Sequence, residues 1–166
     1  MRFTLIDRVV ELEPGVRITA VKGLTMAEEY LADHFPLFPV IPGVLMLETM
    51  TQASAWLVRA TENFAHSMVL LKQASSVKYG QFLEPGQTLM VTAEILKHEE
   101  HETRLKVRGM VDGRITVSAR LVLTQYNLAD TRPEYAGTDR ATIKDLRSQF
   151  QVLYQPEMPM PEAFVR

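Results

Sequence analysis

A chain of 166 residues, with 46% hydrophobic and 23% charged residues, has the size and balance of one folded domain and excludes an intrinsically disordered protein. Its formal net charge of -2 draws it neither to nucleic acid nor to an anionic membrane surface. The absence of cysteine removes disulfides, thiolate nucleophiles and cysteine-built metal sites in one step.

The N-terminal stretch "MRFTLIDRVVELEPG" reaches Asp7 and Glu11 before any apolar run is long enough for a signal peptide. No later run approaches a membrane span, so the expectation is a soluble, cytoplasmic protein. Residues 2–12 predict a strand, "EPGV" at 13–16 a turn, and 16–24 a second strand. Thr25 followed by Glu28 is a capping-box pattern that predicts a short helix ahead of His34. Pro36, Pro39 and Pro42 then stiffen a loop and exclude regular helix from it. From about Pro42 to Thr61 strong helix formers continue without another proline, and their apolar side chains point in most directions. Such a helix belongs at the centre of the core.

Five strands are predicted next, at 67–73, 76–82, 88–99, 102–111 and 114–123, with Asp112 and Gly113 as a two-residue hairpin turn. "LEPG" occurs at 12–15 and again at 83–86, read here as two independent turns. Antiparallel strands curving around one long helix make an α+β arrangement. Beyond about residue 125 the composition shifts to a loop, a terminal helix capped near Thr138 or Asp139, and a proline-rich end. The expected division is therefore 1–125 as the folded unit and 126–166 as an extension without assigned chemistry.

Glu48 is the sole carboxylate in the first four turns of the central helix, on one face with Thr51, Gln52, Ala55 and Arg59. A carboxyl taken from water there has to be hydrogen-bonded, paired or protonated, which suits a general acid. His34, at the head of the rigid loop, titrates near neutrality and suits a general base. Gly43 sits where unpaired helical N–H groups collect, a place to polarise a carbonyl oxygen. On residue types alone a second reading stays open, in which His34 pairs with Asp33 or caps a turn and Glu48 reaches solvent.

The segment "HFPLFPVIPGVLMLETMTQ" resembles the active-site region of the 3-hydroxyacyl-acyl-carrier-protein dehydratases, the FabZ and FabA group of the hot dog fold. The resemblance extends through "LIDRV", "ITAVKGLT", "SSVKYGQFLEPGQTL" and "VDG", over roughly residues 3–123. It implies His34 as the catalytic histidine, Glu48 as the acid, Gly43 N–H as the donor to the thioester carbonyl, and Gln52 as a support for the acid. Glutamate at 48 resembles the FabZ branch, since the FabA branch has aspartate there. The chain departs from the family's usual HFPGHP at Leu37 and Phe38, which puts acyl-length preference and carrier contact in question.

The implied reaction is reversible dehydration of a 3-hydroxyacyl thioester to a trans-2-enoyl thioester, with no nicotinamide, flavin or metal. The implied partner is acyl carrier protein, whose phosphopantetheine carries the substrate. A homodimer sharing its sites between subunits is expected, with a trimer of dimers left open. Phe35, Leu37, Phe38, Met46, Met50 and Trp56 are candidate tunnel residues, set against ordinary core packing. Arg59, Lys72, Lys78, Arg104, Lys106 and Arg108 form a weak candidate surface for an acidic carrier. His66, His98 and His101 lack a zinc-ligand spacing with cysteines and read as surface or strand histidines. Two rivals remain: an acyl thioester hydrolase, and a non-catalytic acyl-binding or assembly protein of the same fold.

Overall fold

Apolar and polar side chains alternate along the second half of the chain, and a pleated strand turns successive side chains to opposite faces. Four long strands result in the computed structural model, which describes residues 3–156. With two short N-terminal strands they are β1 (Arg8–Glu13), β2 (Arg17–Gly23), β3 (Met68–Tyr79), β4 (Thr88–Glu99), β5 (Glu102–Val111) and β6 (Arg114–Tyr126). They form one antiparallel sheet in the order β1, β2, β4, β5, β6, β3. β4 and β5 occupy the predicted ranges, and β6 continues past 123 to Tyr126. Asp112 and Gly113 both take positive φ, 49° and 74°, as the predicted hairpin turn requires.

Four predicted elements are corrected. The strands at 67–73 and 76–82 are one strand, because irregularities between Leu71 and Gln73 and between Ser75 and Lys78 absorb the break. Ser76 takes φ 52° at the second of these, so a local bulge stands where the two strands were expected to part. β1 starts at Arg8 rather than at residue 2, since Leu5 donates its N–H to the Gln52 side chain instead of to a strand partner. The Thr25 capping box does not form: Glu28 binds the buried Lys22 ammonium, and the helix is a single turn, α1 (Tyr30–Asp33).

The central helix, α2 (Gly43–Thr61), lies against β2, β3, β4, β5 and β6. Met50, Ala53, Leu57 and Val58 are fully enclosed, and removing a leucine side chain from water contributes about 2 kcal/mol. Its hydroxyls are tolerated there because Thr49, Thr51, Ser54 and Thr61 each donate to the carbonyl four residues earlier. Asn63 and Phe64, at φ 49° and 59°, turn the chain out of the helix, and the Phe64 N–H closes on the Arg59 carbonyl at 2.7 Å.

The terminal helix, α3 (Ala136–Leu153), begins ahead of the predicted caps. Asp139, 5% exposed, caps nothing in its own helix; it accepts from Ser67 Oγ and from the N–H groups of Leu128 and Ala129. Phe150 packs on Trp56 and Phe64 with ring centroids 5.5 and 5.6 Å away, fastening α3 over the C-terminal half of α2. The proline-rich end after residue 156 lies outside the described residues. Among those residues, no helix is long and apolar enough to cross a membrane.

Candidate active site

His34 ends α1, its N–H bonded to the Tyr30 carbonyl at 3.1 Å. Phe35 follows at φ 51°, a left-handed conformation that costs a bulky residue about 1–2 kcal/mol, and the next residues form a turn closed by Phe38 N–H on Phe35 O at 2.7 Å. Pro36 presets the first central position of that turn, and Leu37 takes the second without positive φ. Glycine is therefore not required at 37, and the leucine side chain is fully exposed at the tip. The loop is fixed at its far end by Ile41 N–H on Leu83 O at 3.0 Å, with Val40 and Ile41 buried.

A cavity of about 350 Å³ opens here, lined by His34, Phe35, Gly43 and Met46 and, on the opposite side, by Tyr79, Gly80 and Phe82. Gly43 opens α2, so its N–H belongs to the first turn, whose N–H groups have no intrahelical acceptor. The Tyr79 ring lies against it: a Cβ at Gly43 would sit 3.1 Å from Tyr79 Cε1. Absence of a side chain at 43 lets the ring and the helix end share one wall. No ion pair joins His34 to Asp33 among the described residues.

Glu48 lies one turn and a half along α2, half-buried, in a second cavity of about 300 Å³ that also takes in Gln52, Trp56, Arg59, Val69, Leu70 and Leu71. Gln52 Nε2 donates to Glu48 Oε1 at 2.9 Å and to Phe3 O at 3.2 Å, while its Oε1 accepts Leu5 N–H at 2.9 Å. An amide fastened to the N-terminal segment thus holds the carboxylate in one orientation. Within one chain His34 and Glu48 line two different cavities.

The other named side chains divide. Phe35 and Met46 line the His34 cavity, and Trp56 lines the Glu48 cavity. Phe38 stacks edge-on against Phe82 at 5.4 Å, one step behind the lining. Met50 is in the core and Leu37 in solvent, so neither lines either cavity. Of the suggested carrier-facing cations, Lys72 and Arg104 both bind Glu102, Arg108 reaches Glu94, and Arg59 is partly enclosed. Tyr79, Gly80 and Phe82 were not singled out from sequence; a tyrosine at the end of an alternating strand carries no local sign that it will meet a helix N-terminus.

A base-capable imidazole beside free helical N–H groups, and an oriented carboxylate on the same helix, place the chain among hot dog proteins equipped for acid–base chemistry. The solved structure of the dehydratase heterocomplex ApeI:P from Xenorhabdus doucetiae has this fold, with a TM-score of 0.62 at 19% identity over 76% of this chain and 85% of that one. A FabA-like domain model matches residues 1–124, and the chain belongs to the FabA-like family. It is 38% identical to the 3-hydroxyacyl-acyl-carrier-protein dehydratase FabZ of Thiobacillus denitrificans, over 74% of this chain and 86% of that protein. The FabZ of Ruminiclostridium cellulolyticum is 34% identical, over 72% of this chain and 84% of its own length.

Proposed function

We propose that the protein is a 3-hydroxyacyl-acyl-carrier-protein dehydratase of fatty acid or related acyl-chain synthesis, acting in the cytoplasm as a homodimer whose two sites are each shared between subunits. In this reading residues 1–125 are the catalytic unit and 126–166 an extension. The observation that carries the proposal is the position of β3. Its Val69–Leu71 end lines the Glu48 cavity, its Tyr79 end lines the His34 cavity, and among the described residues it is an unpaired edge of the sheet. A long edge strand with exposed Leu70, Leu71 and Tyr79 calls for a cover. Antiparallel pairing of two β3 strands about a two-fold axis sets the Leu71 end of one against the Tyr79 end of the other. That operation brings the His34 cavity of each subunit to the Glu48 cavity of its partner.

In the joined site His34 takes the proton from the α carbon, and the developing negative charge on the thioester oxygen is held by Gly43 N–H. Glu48, oriented by Gln52, gives a proton to the β-hydroxyl. The Cβ–O bond breaks, the electron pair from the α C–H bond forms the double bond, and water leaves. Carrying the substrate on the phosphopantetheine of acyl carrier protein brings the thioester into the cavity while the carrier stays outside.

Mass-resolved conversion of 3-hydroxyacyl-carrier-protein substrates of several lengths tests the reading. Loss of one water by the wild type, abolished in His34→Ala and in Glu48→Gln, is the expected result. Release of free acid and free carrier would instead establish a thioester hydrolase, and binding without turnover a non-catalytic acyl-binding protein.

A further inference from the structure

Arg59 lies in the last turn of α2, on the stripe that carries Glu48 and Gln52, and lines the same cavity. At 1.5 Å per residue it stands roughly 16 Å beyond Glu48 along the helix axis. Its guanidinium rests over the Trp56 ring, 5.2 Å from the centroid, and its Nε is enclosed without a hydrogen-bond partner. No carboxylate pairs with it among the described residues. Its backbone carbonyl accepts the Phe64 N–H, and Gln149 of α3 lines the same cavity. Burial pushes its pKa down to about 10, which leaves it a cation at neutral pH. A partly enclosed cation with no counterion among the described residues is available to an anion, and it lines the cavity that also holds Glu48.

We propose that Arg59 binds the carboxylate at the far end of an acyl chain whose β carbon lies at Glu48, so that the protein selects ω-carboxylated acyl thioesters over methyl-ended ones. The placement of the β carbon rests on the dehydratase reading. A guanidinium presents parallel N–H groups that match the two oxygens of a carboxylate. A methyl end brought to the same place leaves the charge desolvated and unpaired, so discrimination comes from rejection as well as attraction.

Trp56 is the only tryptophan in the chain, and its fluorescence reports on a ligand arriving at Arg59. The probes are N-acetylcysteamine monothioesters of α,ω-dicarboxylic acids and methyl-ended thioesters of the same lengths. At the best length the wild type is expected to bind the carboxylated probe at least about tenfold more tightly. Arg59→Met should abolish that preference and Arg59→Lys should keep part of it. Equal wild-type affinities at every length would overturn the proposal, and an acid from a second copy already seated on Arg59 would give that result. The 3-hydroxy forms of both probes are assayed in parallel. Failure of both to lose water, with the binding preference intact, would defeat the dehydratase reading and leave the carboxylate site standing.

Discussion

At Gly43 a single missing side chain serves two ends. It leaves the helix N-terminus uncovered, as the proposed oxygen site needs, and makes room for the Tyr79 ring, 3.1 Å from where a Cβ would lie. Tyr79 is half exposed and its ring borders solvent, so Gly43→Ala should barely change stability; alanine's better helix propensity, up to about 1 kcal/mol, offsets the displacement. Activity should nevertheless fall about tenfold or more, because the displaced ring narrows the cavity beside the oxygen site. Steady-state kinetics beside thermal melting separates the two effects, and Tyr79→Ala in the same chain should return part of the lost rate. His34→Ala should cost about a hundredfold or more in kcat while leaving the melting temperature in place, since the ring is not part of the core. The helix start at Gly43 and the shared face of Glu48 and Gln52 were legible in sequence, from Pro42 and the four-residue step, whereas Gln52 as a support for the acid came only through family resemblance. Tyr79 and the enclosure of Arg59 were not. Strand alternation shows which face a tyrosine takes but not what meets it, and a lone arginine near a helix end reads as a solvated charge.

At the scale of elements, α3 is secured by a polar clasp and an aromatic one. Asp139 accepts from Ser67 first of all, and from two backbone N–H groups, which holds its carboxyl below the ordinary aspartate value of 3.8. A depressed native pKa gives stability that is present above the unfolded value and lost as pH falls through the native one. Acidification below about pH 4 should therefore loosen α3 before the sheet, seen as a change in Trp56 fluorescence as Phe150 withdraws. Asp139→Asn replaces one accepting oxygen with an NH2 group facing a backbone donor. This variant should show the loosened signal at neutral pH and lose the acid-dependent step. The strands β4 and β5 were readable to the residue, because alternation and the Asp112–Gly113 turn agree. β3 was misread as two strands, since a bulge and a turn interrupt the alternation alike. The helix at Thr25 was misread because Lys22, distant by only a few residues but on another element, took the glutamate that the cap needed.

For the whole molecule, the sheet has two unlike edges. β1 is met by Tyr154 at Val9, whereas β3 stands open with Leu70 and Leu71 43% and 39% exposed. If the proposed dimer forms along that edge, placing a charge on it, as in Leu71→Glu, should yield a folded monomer by sedimentation that has lost water-elimination activity, because the proposal gives each separated subunit half a site. Sequence alone pointed to a shared site only through family resemblance, since nothing within one chain's pattern shows which edge will be paired. The most direct measurement is complementation between two inactive variants. His34→Ala and Glu48→Gln are purified separately, mixed in equal amounts, unfolded and refolded together, then assayed for dehydration. A site built across the dimer predicts that half the dimers are mixed and carry one intact site of two, restoring about a quarter of wild-type activity. A mixture of refolded, dimeric variants no more active than its parents would contradict the shared site.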